Sequence, residues 1–283
     1  MSANIFCQEK MVNIKPAKVD SKFKQCYTTY MKFKTSQESY DNPEGAQNYL
    51  DFLESEDGQF FRQILYESFR ERLGENREQS ILDVACGPGW LSSRLSEEYK
   101  NIEALDASGP FLEHAKTRYP DLKFTAGDLN TALPYTDDAF DTIIMSMAAH
   151  DVEDQVKTFS ELRRILKPGG KFMLTFVNPY YAFPVGVWKR GIIGRLLFKK
   201  PKLKLRPYHW FAKQERGFTF NKSLECYFYK LSEHLNHLRE AGFNFEYMKD
   251  LESLQNSENF NLQYRLHRFP ILQYVEFKKP AQT

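Results

Sequence analysis

From Ser80 to Val177 the chain alternates two kinds of apolar spacing. Runs such as Ile81-Leu82-Asp83-Val84 and Thr142-Ile143-Ile144-Met145 are apolar at nearly every position, as strands covered on both faces require. Between the runs, apolar residues recur every three or four positions: Leu91, Leu95 and Tyr99; Phe111, Leu112 and Ala115; Phe159, Leu162, Ile165 and Leu166. That spacing predicts helices with one buried face. Strands are expected near 81–84, 101–106, 122–128, 138–147 and 171–177, with Pro168-Gly169-Gly170 ending the helix before the last. Strand–helix alternation of this kind demands a parallel sheet joined by right-handed crossovers.

The flanks carry other patterns. Residues 1–35 are polar and Lys-rich, a loosely docked arm in which Phe23, Tyr27, Tyr30 and Phe33 form a packing stripe. Pro43 opens a helix after Asn42, and Phe60, Phe61, Ile64, Leu65, Phe69 and Leu73 recur at helical spacing until Gly74. Past Val177 the regularity lapses. Residues 185–198 predict an amphipathic helix, Lys202–Arg206 alternates like an edge strand, and Phe218–Phe220 is strand-like. Regularity then returns: Ser232 is expected to cap a helix carrying Leu235, Leu238 and Ala241 and ended by Gly242. Closing strands are expected over Phe243–Met248 and Ile271–Phe277. The chain divides accordingly into an N-terminal arm and helical cap (1–75), a core (76–177), a lid insertion (178–225) and the C-terminal part of the core sheet (226–283).

Composition narrows the classes. A chain of 283 residues with 42% apolar and 27% charged residues has material for one large core. Cys7, Cys26, Cys86 and Cys226 are scattered without metal-ligand spacing, so reduced thiols and a cytoplasmic location are expected, with no metal. No 18-residue apolar run or signal-peptide core is present, which argues against a spanning helix or export. A net charge of +2 points to no nucleic-acid partner by itself. Lys189, Arg190, Arg195, Lys199, Lys200, Lys202, Lys204 and Arg206 nevertheless put eight cations into 18 residues. A solvated lid face is the favoured reading of that run; docking to an anionic membrane surface through 189–206 comes second, and RNA contact last.

The chemistry lies where strands end. Asp83 sits inside the first strand, and Gly87-Pro88-Gly89 follows it into a helix, letting the backbone press against a nucleoside ligand. A dinucleotide site would place a third glycine at position 92, where this chain has Ser92. A second strand ends in Asp106, a third in Gly127-Asp128, and a fourth passes through Met145-Ser146 toward His150. Over roughly residues 40–177 this order resembles the class I S-adenosylmethionine-dependent methyltransferases, whose first motif is Asp-x-x-x-Gly-x-Gly.

The resemblance implies a three-layer Rossmann-like α/β fold, with a seven-stranded sheet ordered 3-2-1-4-5-7-6, strand seven antiparallel, and an inserted lid. It implies S-adenosylmethionine as cofactor, with S-adenosylhomocysteine as product. Gly87 and Gly89 then line the methionine moiety, Asp83 supports its amino end, and Ala85 is a further cofactor-binding residue. Asp106 holds the ribose hydroxyls, Ala107 lies against the adenine, Asp128 and Leu129 read its edge, and Met145 or Ser146 touches the methionine end. His150 is the candidate base or substrate-orienting group, its alternative being to pack the loop. Tyr40 either closes over the cofactor or packs; Tyr180, Tyr181, Tyr208, His209 and Trp210 form either the substrate wall or a satellite core under the lid. The expected activity is methyl transfer to O, N or C of a small or medium-sized organic acceptor. Methylation of a peptide or RNA, or cofactor binding without transfer, are the alternatives; the oligomeric state is not legible.

Overall fold

A strand with apolar side chains on both faces is stable only between two covering layers. In the computed structural model, which describes residues 34–35, 40–178, 213–218, 221–227, 229–251 and 272–281, that is how β2 (Ser80–Val84) lies. Ile81, Leu82 and Val84 are all fully buried. Around β2 run β3 (Asn101–Asp106), β4 (Lys123–Ala126), β5 (Phe140–Ser146), β6 (Leu166–Val177), β9 (Asn244–Leu251) and β10 (Leu272–Lys278), in the spatial order β4-β3-β2-β5-β6-β10-β9. Counted along the chain, the seven strands stand 3-2-1-4-5-7-6. Pairing is parallel from β4 through β6, and β10 is antiparallel to both its neighbours.

Side-chain alternation sorts the strands between the two faces. On one face, Ile81, Ile144, Met173 and Tyr274 pack with Ile64, Leu65 and Phe69 of α2 (Glu56–Leu73) and with Leu91 and Leu95 of α3 (Trp90–Ser96). Ala104 and Phe124 continue that face against Leu112 and Ala115 of α4 (Gly109–Arg118). On the other, Leu82, Val84, Ile143, Phe172 and Val275 meet Phe159 and Leu162 of α5 (Gln155–Ile165) and Leu238 of α6 (Leu231–Glu240). The expected three-layer α/β sandwich is therefore the observed one.

Several boundaries differ from the sequence expectation, each for a local reason. Helix α5 stops at Ile165 and β6 begins at once, so Pro168-Gly169-Gly170 lies within the strand. Pairing jumps from Phe140–Leu166 to Thr142–Lys171, two residues on β5 against five on β6. The extra residues bulge out and bond instead to Lys279, whose carbonyl accepts from Gly169 N at 2.9 Å and whose N–H donates to Gly170 O at 3.1 Å. Helix α6 starts after Lys230, not Ser232, because the Glu233 carboxylate accepts from the Lys230 N–H at 2.7 Å.

Upstream, α1 (Pro43–Glu54) is capped by Asn42, whose side chain accepts from Glu44 N. Ser55 then caps α2 through Gly58 N, so a single residue separates the two helices. A smaller sheet has the order β1-β8-β7, from β1 (Lys34–Thr35), β7 (Lys213–Phe218) and β8 (Asn221–Tyr227). Lys34 and Thr35 pair in parallel with Leu224 and Glu225, so the stretch assigned to a lid supplies a hairpin to which the N-terminal segment adds a strand. The amphipathic and edge-strand expectations over 185–206, with their basic run, lie outside the described residues. Among those described, no helix is long and apolar enough to cross a membrane, and no group of three His, Cys, Asp or Glu side chains is placed to hold a metal.

Candidate active site

Strand order reverses at β2: the chain leaves it toward β3 on one side and returns as β5 on the other. At such a switch point the loops diverge beyond the carboxyl ends of the strands and leave a crevice. Two adjoining hollows, with wall residues in common, occupy it here. The larger, about 150 Å³, is bounded by residues that include Tyr40, Tyr49, Gly87, Asp106, Phe111, Asp128, Leu129 and Asp151. The smaller, about 30 Å³, reaches down to Asp83 between Phe61, Leu65 and Trp90.

The backbone forming the crevice is strained where it turns. Ala85 (φ 53°) and Met147 (φ 59°), just past β2 and β5, are both left-handed and non-glycine, and both line the two hollows. Gly87 (φ +55°) is open toward the crevice: an added Cβ would lie 3.9 Å from Phe111 and 4.0 Å from Tyr49, filling space a ligand could use. Gly89 (φ +79°) serves packing instead, because an added Cβ would stand 2.8 Å from the Phe124 ring and 3.2 Å from Ala115. It does not border either hollow. Gly89→Ala is expected to cost about 1–3 kcal/mol through strain and overpacking, read as a lowered midpoint in urea unfolding with unchanged slope.

Two carboxylates stand at opposite ends. Asp106, 8% exposed, accepts from the N–H of Gly87 at 2.7 Å and of Ser108 at 2.8 Å. Burial pushes its carboxyl up, while the backbone N–H groups of Ser108, Gly87 and Ala107 pull the other way. Those bonds fix its orientation before any ligand arrives. Asp83 is 1% exposed and accepts from Ser92 Oγ at 2.6 Å through Oδ2; its Oδ1 is buried without a hydrogen-bond partner. Desolvation drives its pKa up to about 7, against the lowering effect of Ser92. Ser92, which at the sequence level only marked a missing glycine, is the residue that holds the acid.

Asp128 closes the far side. Its Oδ1 accepts from both Asn130 N and Asn130 Nδ2 at 2.9 Å, so Oδ2 is the oxygen left for a ligand. Leu129 beside it is anchored by Thr158 Oγ1, which donates to its carbonyl at 2.9 Å. Strand alternation separates Met145, fully buried in the core, from Ser146, which borders both hollows. Cys86 is buried, and burial pushes its thiol up, away from nucleophile chemistry.

The crevice roof is aromatic. Tyr40 is tied down by its carbonyl, which accepts from Ser108 Oγ at 2.9 Å, and its ring lies 5.2 Å from Phe111 and 5.6 Å from Tyr49. Tyr49 is absent from the sequence-derived candidates. Its signal was present: with Gly45, Ala46 and Leu53, the buried residues of α1, it shares one helical face.

His150 sits on a short 3-10 turn, Ala149–Asp151, with Nε2 3.8 Å from Asp151 Oδ1. Asp151 and Ala148 border the larger hollow, whereas His150 does not. The turn is pinned from behind by Gln155, which is 2% exposed. Its Nε2 donates to Ala149 O at 2.7 Å, and its Oε1 lies 3.0 Å from His234 Nδ1 and 3.1 Å from His237 Nδ1. A carbonyl oxygen only accepts, so both imidazoles carry their proton on Nδ1. Burial lowers the His234 pKa to about 3, keeping it neutral. Gln155→Leu orphans two buried polar groups, Ala149 O and His234 Nδ1, and the half-buried His237 Nδ1, and is expected to lower the thermal midpoint by roughly 5–10 °C, an effect of ~2–3 kcal/mol. Differential scanning calorimetry would read it. Tyr180, Tyr181, Tyr208, His209 and Trp210 lie outside the described residues.

Comparison with known proteins agrees with this geometry. Residues 82–174 match a family described as "Methyltransferase domain". The chain is 38% identical over 104 residues to the demethylmenaquinone methyltransferase of Renibacterium salmoninarum, covering 36% of this chain and 44% of that one. It is 34% identical over 104 residues to the malonyl-[acyl-carrier protein] O-methyltransferase of Pseudescherichia vulneris, covering 37% and 41%. The matched stretch thus spans less than half the length of either relative. A solved S-adenosylmethionine-dependent methyltransferase from Mesorhizobium loti superposes with a TM-score of 0.60 at 22% identity, over 76% of this chain and 97% of that one. Strand order, crevice and matched stretch coincide: residues 82–174 match a methyltransferase domain, set in the fold that solved S-adenosylmethionine-dependent methyltransferases share.

Proposed function

We propose that this protein transfers a methyl group from S-adenosylmethionine to O, N or C of a small or medium-sized organic acceptor. One observation carries the reading. A single crevice has a buried carboxylate oxygen without a partner at one end and a backbone-fixed carboxylate at the other. Such a pair suits a ligand with an ammonium group at one end and a ribose diol further along. Asp83 Oδ1 takes the ammonium, Asp106 the diol, and Asp128 with Leu129 the adenine edge, while Ala107 borders the same hollow.

The cofactor, when bound, supplies an electrophilic methyl that needs neither a metal nor a covalent enzyme intermediate. What remains for the chain is orientation and exclusion of water. The hydrogen bonds on Asp106 and Asp83 hold acceptor atoms in place, and the Tyr40–Tyr49–Phe111 roof covers the crevice. A hydroxyl acceptor also needs a base. His150 remains our candidate for orienting the acceptor or taking its proton, from its place on the turn that borders the crevice. His150→Ala is expected to lower turnover far more than cofactor affinity; equal turnover at saturating acceptor would remove His150 from the chemistry.

The names of the two relatives point to different acceptors, a quinone precursor and an acyl group on a carrier protein. Incubating the protein with methyl-labelled cofactor and a cell extract, then separating products by size, tests the acceptor class. Label in the low-mass fraction is expected. Label confined to protein or RNA would overturn the small-acceptor reading, and no label in any fraction would overturn transfer itself.

A further inference from the structure

The two hollows share five wall residues, Tyr49, Ala85, Gly87, Ser146 and Met147. Resting on the cofactor reading above, this overlap fixes where the charged sulfur belongs. The amino end of the ligand is held in the hollow with Asp83, and the ribose in the hollow with Asp106. The sulfur is the atom joining those two parts, so it passes the shared wall.

Of the five, Ala85 and Gly87 offer backbone at the ends of a strained turn, and Ser146 Oγ lies 3.4 Å from Thr175 Oγ1. Met147 is a neutral thioether. Tyr49 is the aromatic ring among them. Its Cε1 stands 4.0 Å from where a Cβ on Gly87 would be, across the loop from the backbone. Its orientation is set by three ring neighbours: Tyr40 at 5.6 Å, Phe111 at 5.5 Å and Phe52 at 6.3 Å. A ring face presents negative charge to a cation and nothing comparable to a neutral thioether.

We propose that Tyr49 is a specificity-determining residue whose ring favours the sulfonium form of the cofactor over its neutral demethylated product. The ring acts as a neutral π-system. Burial, with the Asp151 and Asp106 carboxylates nearby, holds the hydroxyl protonated well above the ordinary tyrosine range. The consequence is directional. A ring that stabilises the charged ligand and not the neutral one helps product leave after transfer, because the product has lost the charge that the ring recognises.

The test is calorimetric titration of S-adenosylmethionine and S-adenosylhomocysteine against the wild type, Tyr49→Phe and Tyr49→Leu. Tyr49→Phe is expected to keep the wild-type ratio of the two affinities. Tyr49→Leu is expected to shift that ratio against the sulfonium by roughly three- to tenfold, through loss of the cation–π contact. Replacing Tyr49 with phenylalanine analogues carrying one, two and three ring fluorines keeps the shape and weakens the ring's charge distribution stepwise. Affinity for the sulfonium is expected to fall with each fluorine while affinity for the thioether stays level, and this series decides the matter if Tyr49→Leu fails to fold. An unchanged ratio in Tyr49→Leu, a level fluorine series, or an equal loss in Tyr49→Phe would each overturn the inference. Wild-type protein that binds neither ligand would overturn the cofactor reading itself, an outcome distinct from any of these.

Discussion

Replacing Asp106 by alanine is expected to weaken S-adenosylhomocysteine binding by roughly 30- to 1000-fold. The estimate follows from losing hydrogen bonds to a charged acceptor, which together contribute about 2–4 kcal/mol. The effect is large because the carboxylate is oriented in advance: Gly87 N and Ser108 N hold its two oxygens at 2.7 and 2.8 Å. A ligand diol meets an acceptor whose ordering has been completed by folding, so little binding energy is lost to immobilising it. The same bonds give the variant a second phenotype. Gly87 and Ser108 each lose an acceptor, so the thermal midpoint falls as well. Asp106→Asn restores one acceptor oxygen, and its stability is expected to lie between alanine and wild type while binding stays weak. Calorimetry on folded Asp106→Ala showing affinity within threefold of wild type would remove Asp106 from the ligand site.

The second large effect is a pH dependence centred on Asp83. Its carboxyl is pushed up to about 7 from an ordinary 3.8 by burial. Without ligand, the native chain keeps a proton that the unfolded chain releases between those two values. The stabilisation this carries is fully present below pH 3.8 and is lost as pH rises to about 7, with no further change above. Ligand binding has the opposite slope. An ammonium beside Asp83 Oδ1 favours the ionised acid, so affinity for S-adenosylhomocysteine is expected to rise up to about tenfold per pH unit below 7 and then level off. Binding at pH 6 should release a proton, visible as a dependence of the measured heat on buffer ionisation enthalpy. Asp83→Asn is expected to flatten the profile and weaken binding at pH 7.5 by roughly 30-fold or more. A wild-type profile already flat between pH 5.5 and 7.5 would contradict the assignment.

What was legible in the sequence follows the range of the interactions involved. The centre of the sheet could be read because strands buried on both faces leave nearly continuous apolar runs, as in β2, β5 and the second half of β6; β3 and β4 toward the edge mix buried and exposed positions. The acids at the strand ends could be read because their positions depend on one local feature, the end of a strand. Other features rest on contacts distant in sequence. Ser92 meets Asp83 across a loop. Gln155 gathers His234 and His237 from an element some 80 residues away, and no spacing along the chain announces that junction. Pro168-Gly169-Gly170 reads as a helix stop because Pro-Gly-Gly breaks either element; the bonds to Lys279 that explain the bulge come from far along the chain. Tyr49 lay between these cases. Its helical face was readable, but the crevice that face covers became visible only once the loops after β2 and β5 were placed above it.

A crystal structure of the protein with S-adenosylhomocysteine is the most direct test of the central claim. The account predicts the ligand's amino nitrogen within hydrogen-bonding distance of Asp83 Oδ1, its ribose hydroxyls on Asp106, and its sulfur at the wall shared by the two hollows, beside Tyr49. Ligand bound elsewhere, or bound in this crevice with its ribose away from Asp106, would contradict it.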